Sequence, residues 1–313
     1  MSRSKEALST LLDTPKVSVC IPVYNAGEYL SHAISSVLTQ CFTDLELIVV
    51  DDCSSEPTES VIAGFDDSRL RFYRNTQNLG LVGNWNRCLE LTRGEYIAIF
   101  HQDDLMMPNY LSRQVAMLNE ISTVGFAFTN IKRIDATGQI IGGHWLPDLS
   151  LPEVDTVLPG EAFFAAVASY GNIVPCPSVV VRKECYDRLG MFDASLPFAT
   201  DLEMWMRIAA YYDVGYLKEP LVSQRVHSEQ ETAKFANSGR DYLDILHALN
   251  IVFSRALSHT YIRYASKTYQ TLGSQALGMA KWMFQQGRIA NGLRYMFVAG
   301  IAFIRAQIKK KWD

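Results

Sequence analysis

The sequence predicts an α/β fold: a central, mostly parallel sheet flanked by helices, Rossmann-like in layout, with a helical C-terminal extension. Three observations carry this. Short β-branched apolar runs alternate with stretches of helical spacing over roughly the first 110 residues, and such alternation implies parallel strands covered on both faces. Three of those runs end in polar residues able to do chemistry, at Pro22 to Asn25, at Asp51-Asp52 and at His101 to Asp104. From about Gly239 onward only helical periodicity remains.

Taken in order, residues 1–15 read as a loosely ordered arm. Val17 to Ile21 is a first strand, stopped by Pro22, and Tyr24 to Gly27 is a turn. Tyr29, Leu30, Ala33, Ile34, Val37 and Leu38 have helical spacing. Leu45 to Val50 is the second strand, with a helix over roughly Glu56 to Gly64. Leu70 to Tyr73 is the third. Asn78 to Asn84 reads as a polar, glycine-bearing loop, and Trp85 to Thr92 as a helix. Tyr96 to Phe100 is the next strand, and Pro108 allows a helix over Leu111 to Asn119. Val124 to Thr129 is strand-like, and Ile131 to Ile141 reads as a hairpin around Thr137-Gly138. Residues 142–160 look like a long loop near a site. A helix over Gly160 to Ser169, a strand over Ser178 to Arg182 and a helix over Lys183 to Leu189, closed by Gly190, follow. Asp201 to Tyr212 is an amphipathic helix, and Val214 to Leu217 and Val222 to Val226 are two short strands.

Composition bounds the rest. A chain of 313 residues suits one large domain or two small ones, and 48% hydrophobic with 20% charged residues is ordinary for a soluble protein. The six cysteines show no C-x-x-C and no zinc spacing, which favours free thiols in a reducing compartment. The N-terminus lacks the apolar core of a signal peptide, and no run approaches a membrane span, so a cytoplasmic location is expected. The net charge of −4 hides a split. Ala236 to Asp313 holds 11 Lys and Arg against three acids, net +8, while the remainder is −12. A short, basic, aromatic-rich tail behind an acidic body points to contact with an anionic surface. No nucleic-acid partner is expected.

Ligands of such sheets sit at the carboxyl ends of the strands, where all three polar run-ends fall. Adjacent carboxylates repel and are costly to bury without a cation or proton between them. Hard oxygen ligands at a strand end suit Mg²⁺ or Mn²⁺ carrying a phosphate. The plainer reading of Asp103-Asp104 is a turn and a helix N-cap. No G-x-G-x-x-G follows the first strand and no Walker A loop is present, so phosphates would be held by metal rather than by a glycine cradle.

The motifs VSVCIPVYNAGEYL, AISSVLTQCFTDLELIVVDDCSS and NLGLVGNWNRCLELTRGEYIAIFHQDDLMMPNYL together resemble family 2 glycosyltransferases of the GT-A fold. The likeness continues at Pro177 to Lys183, at Leu189 to Asp193 and at Thr200 to Arg207, which is similar to the family's acidic "ED…W.R" segment, and so covers roughly 17–232. It implies a nucleotide-sugar donor, with Tyr24 stacking on the base and Asp52 accepting a hydrogen bond from it. Asp51 would bond backbone nearby. Pro22, Asn25, Asn78 and Asn84 would line the donor site, and Asn86 lies beside them. Asp103 matches the last Asp of the family's D-x-D and would bind Mn²⁺ or Mg²⁺ on the diphosphate. Asp104 would touch the outer shell or a sugar hydroxyl. The first D-x-D position is His101, a departure that would make the imidazole a ligand or a donor to the sugar.

By the same resemblance Asp201 is the catalytic base, taking the proton of an acceptor hydroxyl as its oxygen attacks the anomeric carbon. A single base with in-line displacement inverts configuration. The plainer reading of Asp201 is an N-cap. Glu203 should point to another helix face. Arg225 to Ser228 resembles a late element that contacts diphosphate or metal through His227, against a structural histidine. Trp145 and Trp205 could stack on sugar, with core packing the alternative for Trp205.

The expected organisation is a nucleotide-sugar-binding half over 15–130, an acceptor-binding and catalytic half over 131–235, and a basic helical extension over 236–313. The expected function is transfer of a sugar, from a UDP-sugar by preference, to a hydroxyl of a glycan or lipid-linked saccharide in cell-surface polysaccharide synthesis. The rivals are a non-catalytic nucleotide- or glycan-binding module of the same fold and a nucleotidyltransferase. The tail, Tyr295 to Arg305 followed by Lys309-Lys310-Lys311-Trp312, has about ten apolar residues, too few to span a bilayer. It suits either peripheral contact with an anionic membrane or a helix packed on the catalytic domain.

Overall fold

The computed structural model describes residues 14–143, 151–255 and 259–310. Residues 1–13 of the arm, Trp145, Lys311 and Trp312 lie outside the described residues. Ten strands form one sheet. They are β1 Val17–Val23, β2 Leu45–Asp51, β3 Leu70–Arg74, β4 Tyr96–Ile99, β5 Leu105–Met106, β6 Val124–Ile134, β7 Ile140–Gly142, β8 Thr156–Leu158, β9 Val179–Arg182 and β10 Asp213–Arg225. The order is β3-β2-β1-β4-β9-β6-β10-β5, with β7 on β6 and β8 on β10. β3, β2, β1 and β4 run parallel, β9 is antiparallel to both its neighbours, and β6 and β10 are parallel again.

The helices are α1 Tyr29–Leu38, α2 Thr58–Ile62, α3 Gly80–Leu91, α4 Tyr110–Glu120, α5 Gly160–Tyr170, α6 Lys183–Leu189 and α7 Thr200–Ala209, with α8 Glu231–Ser238, α9 Asp241–Ser254, α10 His259–Ile262, α11 Ala265–Gln285 and α12 Ile289–Lys309 in the extension. Because side chains alternate along a strand, β1 and β2 feed two cores. Val19, Ile21, Leu47 and Val49 join α1 and α4 on one face. Cys20, Ile48 and Val50 join α3, α5, α7 and the C-terminal helices on the other. Burial on both faces explains why these strands read as near-continuous apolar runs, broken within by Ser18 and Glu46, which bond to each other.

Several sequence boundaries shift for identifiable reasons. β1 is not stopped by Pro22 but runs on to Val23. β4 pairs with β1 only up to Cys20, so the N–H that proline lacks has no partner to lose on that side. The two short strands expected around Pro220 are one strand, β10, which absorbs Pro220 through register shifts on each side. The helix expected from Glu56 begins only after Pro57. The expected loop over Asn78 to Asn84 is already the first turn of α3 from Gly80. The described part of the 142–160 loop contains β8, paired with β10. The hairpin at Thr137-Gly138 forms between β6 and β7, but β6 is continuous from Val124, so the expected boundary at 130/131 falls inside a strand.

The extension corrects a further expectation. α12 is 21 residues long with a mean hydropathy of 1.2, enough by length and composition to cross a membrane, and a third of that window is buried against the protein. It lies against α11. The Phe303 ring sits where a side chain at Gly273 would fall, and the Phe284 ring does the same at Gly292.

Two glycines give opposite expectations. A Cβ on Gly160, the first residue of α5, would lie 1.9 Å from the Ala209 carbonyl oxygen at the end of α7. Gly160→Ala should therefore lower unfolding stability by about 1–3 kcal/mol, the usual cost of overpacking. Gly278, inside α11, has nothing within 4 Å of its would-be Cβ. Gly278→Ala should raise stability by about 1 kcal/mol through helix propensity. Urea denaturation of both variants checks the pair, and equal effects would contradict the packing described.

Candidate active site

β2, β1 and β4 are adjacent and parallel, so their carboxyl ends open onto one edge. Gln102, which sequence reasoning passed over, ties two of these ends together. Its Oε1 accepts the Tyr24 N–H at 2.9 Å and its Nε2 donates to the Tyr24 carbonyl at 3.3 Å. Tyr24 itself is 47% exposed, its ring open to solvent at this edge. Asn25 takes a left-handed backbone, φ 47°, which asparagine tolerates better than most residues. Its Oδ1 accepts from the N–H and hydroxyl of Ser55. Pro22 lies opposite Val50 in the sheet.

The two aspartates ending β2 do different work. Asp51 is fully buried and accepts from the Ser54 N–H, the Ser54 hydroxyl and the Thr58 hydroxyl, with Arg74 Nε at 3.4 Å. It bonds nearby backbone, as expected, and hydroxyls as well. Asp52 accepts the Leu79 N–H at 2.8 Å, the Gly80 N–H at 2.9 Å and Asn75 Nδ2 at 2.8 Å. It therefore caps α3 across the sheet edge, and this charged acceptor draws the helix start back to Gly80. Asn78 supports the same turn, donating to the Asp52 carbonyl and accepting from Gly80. Asn84 is buried, and its amide is used on the Val50 carbonyl and on Asn75. Any effect it has on a ligand at this edge runs through Asn75 and Asp52. Asn86 clamps both the N–H and the carbonyl of Phe192.

The end of β4 gathers the metal-type residues. One ligand atom each from His101, Asp103 and Asp104 lies within 4.8 Å of the other two, the one such group among the described residues. Asp103 Oδ2 accepts from His227 Nε2 at 2.9 Å and from Gln230 Nε2 at 3.0 Å. Burial works to raise the Asp103 pKa, but the His227 bond, the His101 charge and the Gln230 bond outweigh it and lower the pKa overall. Asp104 Oδ1 accepts the Arg225 N–H at 2.8 Å, whereas its Oδ2 is buried without a hydrogen-bond partner among the described residues, 3.5 Å from His101 Nδ1. Burial, then the neighbouring Asp103 charge, lift Asp104 to about 6. Burial would depress His101, yet the Asp104 carboxylate 3.5 Å away and the Cys176 thiol beside it raise its pKa, and Nε2 is also buried and unpartnered among the described residues.

Orphaned buried acceptors beside a like-charged pair are what a divalent cation satisfies, so these residues fit one. Arg225, expected near a diphosphate, is instead a peg. Its guanidinium donates to the carbonyls of Asp103, Asp135 and Ala136 and lies over the Tyr29 ring at 4.5 Å. The Tyr29 ring also packs on His227, centroids 5.1 Å apart.

Asp201 sits in the first turn of α7, half-buried, with Oδ1 accepting the Leu202 N–H at 2.7 Å and Oδ2 accepting Asn172 Nδ2 at 3.3 Å. Burial lifts its pKa to about 6, against those two bonds and the His101 charge. A carboxylate poised there can exchange a proton near neutral pH. Glu203 turns to the other face, as expected, where Arg207 and Arg255 each approach it at 2.8 Å. Trp205 is core, packed on Phe126 and Phe192. Asn172, Gln230, Gln102 and Asn75 are the residues that sequence reasoning missed. Each is a lone amide in a loop or turn, and only tertiary contact gives it a role.

The family model described as glycosyl transferase family 2 matches residues 18–169. An uncharacterized glycosyltransferase of Rickettsia typhi is 29% identical over 73% of this chain and 70% of its own length. The chain spans only about a third of some other relatives, 37% of one from Rickettsia felis. An Escherichia coli UDP-Glc:α-D-GlcNAc-diphosphoundecaprenol β-1,3-glucosyltransferase is 34% identical over 44% of this chain and 53% of that one. Among solved structures, S. aureus TarS 1–349 in complex with UDP-GlcNAc superposes with TM-score 0.56 at 17% identity, covering 91% of this chain and 90% of that one. Mannosyltransferase PcManGT from Pyrobaculum calidifontis, in complex with GDP-Man and Mn²⁺, gives 0.55 at 18% identity over 96% and 88%.

Because protons compete for Asp104 and His101, Mn²⁺ should bind more weakly at pH 5.5 than at pH 8. About fourfold of the loss comes from Asp104 alone. Calorimetric titration at the two pH values checks this. Asp103→Asn should abolish most of the binding at both, and unchanged affinity in that variant would remove the metal assignment.

Proposed function

The chain belongs to glycosyltransferase family 2, and on that premise we propose that it is an inverting, metal-dependent enzyme of the GT-A fold. It moves a sugar from a nucleotide-diphosphate donor, a UDP-sugar, to a hydroxyl of a glycan or lipid-linked saccharide in cell-surface polysaccharide synthesis. The observation that carries the mechanism is Asp201, a carboxylate at a helix N-terminus whose pKa is lifted to about 6 within electrostatic reach of His101. Above that pH it is ionised and accepts the proton of the attacking hydroxyl. One base on the acceptor side and a leaving group on the other give inversion.

Asp103, Asp104 and His101 would hold Mn²⁺ or Mg²⁺, and His227 keeps the Asp103 carboxylate turned toward the site. When bound, the ion supplies charge neutralisation for the departing nucleoside diphosphate. Tyr24 offers its open ring to the base. Asp52 meets the base with its one lone pair left over from Leu79, Gly80 and Asn75, while Pro22, Asn25 and Asn78 shape that wall. The UDP preference is supported by the ligand in the TarS structure and by the UDP-Glc donor of the E. coli relative. GDP is the competing nucleotide, because PcManGT carries GDP-Man. A lipid-linked acceptor is supported by the diphosphoundecaprenol acceptor of the E. coli relative.

A lipid-linked acceptor also accounts for the tail. Residues 259–310 hold eight Lys and Arg and no Asp or Glu. The face of α12 turned away from α11 exposes Leu293, Met296, Phe297 and Ile304, Phe297 and Ile304 at 62% and 63%. An apolar strip on an acid-free, cationic hairpin suits peripheral contact with an anionic membrane at its cytoplasmic face.

Asp201→Asn should reduce transfer by at least about 100-fold, the scale of general-base catalysis. It should still show the thermal stabilisation by UDP and Mn²⁺ that marks donor binding. Full activity in that variant would end the base assignment, and stabilisation by GDP but not UDP would change the donor. For the tail, co-sedimentation with phosphatidylglycerol vesicles should be strong at low salt and weak with phosphatidylcholine. Leu293→Ser with Phe297→Ser should lose it, and equal binding to both lipids would exclude the charge-driven contact.

A further inference from the structure

The helix that carries Asp201 has no cap of its own. Its N-cap residue is Ala199, which has no side-chain acceptor, and among the described residues the one first-turn N–H that a local side chain takes is that of Leu202, by Asp201 itself. The acceptor comes from the C-terminal extension. Oδ2 of Asp244, in the first turn of α9, accepts the N–H groups of both Phe198 and Ala199 at 2.7 Å each. Two consecutive amides converging on one carboxylate oxygen fix the local backbone direction, and the charge strengthens both bonds.

Other contacts from the extension hold the same segment. The Phe198 ring stacks on Phe235 of α8, centroids 5.0 Å apart. Leu196 and Ala199 pack against Ala248 of α9. Arg255, just past α9, pairs with Asp193 Oδ2 at 2.9 Å and with Glu203 Oε1 at 2.8 Å, one residue on each side of the 195–201 stretch. Among the described residues the Asp201 carboxylate hydrogen-bonds only to Leu202 and Asn172. The extension therefore acts on it through backbone alone.

We infer that Asp244 is a positioning residue that sets the place of Asp201 from outside the catalytic fold, so that the extension is part of the catalytic apparatus. This rests on Asp201 being the base. Displacing a reacting group by about 1 Å can cost on the order of 100-fold. The test uses the full chain, with UDP and Mn²⁺ titrated by calorimetry to count competent donor sites and kcat normalised to that count. Asp244→Ala should lower kcat by about 10- to 100-fold with donor KM unchanged. Asp244→Asn keeps one oxygen for both amides and should return kcat to within about threefold of the parent. Arg255→Gln, which loosens the same segment from its other side, gives a second reading if Asp244→Ala does not fold, and should also lower kcat at constant donor KM. Unchanged normalised kcat in Asp244→Ala or Arg255→Gln, with Asp201→Asn inactive, overturns the positioning role alone. Activity in Asp201→Asn overturns the base reading beneath it. A drop in Asp244→Ala that Asp244→Asn does not rescue also overturns the proposal, because the loss would not then follow the accepting oxygen.

Discussion

Everything at the carboxyl edge of this sheet depends on one constraint: carboxylates crowded where water is scarce. Asp51, Asp52, Asp103 and Asp104 are all buried there, and Asp201 stands half-buried on the next helix. Neighbouring negative charges with so little solvent repel strongly, and each must find donors, a proton or a cation. The structure divides these options. Asp51 is satisfied by an amide and two hydroxyls, Asp52 takes three N–H donors and keeps one lone pair, and both serve as struts for the loops after β2. Asp103 is held ionised by His227 and Gln230. Asp104 and Asp201 are left short of donors, and each is pushed up to about 6. The two least satisfied groups are the two to which the proposed mechanism gives chemistry, the usual pattern when function is set against stability.

His101 follows from the same constraint. A third carboxylate in its place would add one more charge to a site already short of donors. An imidazole can carry the balancing proton until a cation arrives and can then serve as a neutral ligand. Its buried, unpartnered Nε2 and the unpartnered Asp104 Oδ2 mark where the protein alone leaves the site unfinished.

Much of the fold was legible in the sequence, because strands buried on both faces leave runs such as Leu45 to Val50 that nothing else explains. The strand-end residues were legible for the same reason, since polar residues directly after such runs must fall at the sheet edge. Less visible was what those residues do. Asp52 reads in sequence as a free strand-end acid, yet three donors claim it, and two of them are main-chain N–H groups that any sequence could supply. That bond also moved the start of α3 from Trp85 to Gly80, which local propensity could not foresee with two glycines in the first turn. The Pro220 region misled in the opposite direction: a proline that normally ends a strand is accommodated by bulges because β6 continues alongside. Gln102, Asn172 and Gln230 left no periodic or motif signal at all.

The charge split between body and tail takes on a structural meaning once the extension is seen as a clasp. The tail is basic overall, but the acids it does possess within the described residues, Asp241 and Asp244, both face inward. Asp241 is bonded to the Tyr295 hydroxyl at 2.9 Å and so ties α9 to α12. Asp244 is bonded to the entrance of α7. A line of contact thus runs from the apolar, cationic face of α12 through Tyr295 and Asp241 to α9, and from Asp244 to the backbone that carries Asp201. Packed helices shift as units rather than bending continuously. On the proposed reading, a surface that engages α12 therefore bears on the same helix, α9, whose Asp244 holds the backbone before Asp201, so that membrane contact and base placement share one physical support.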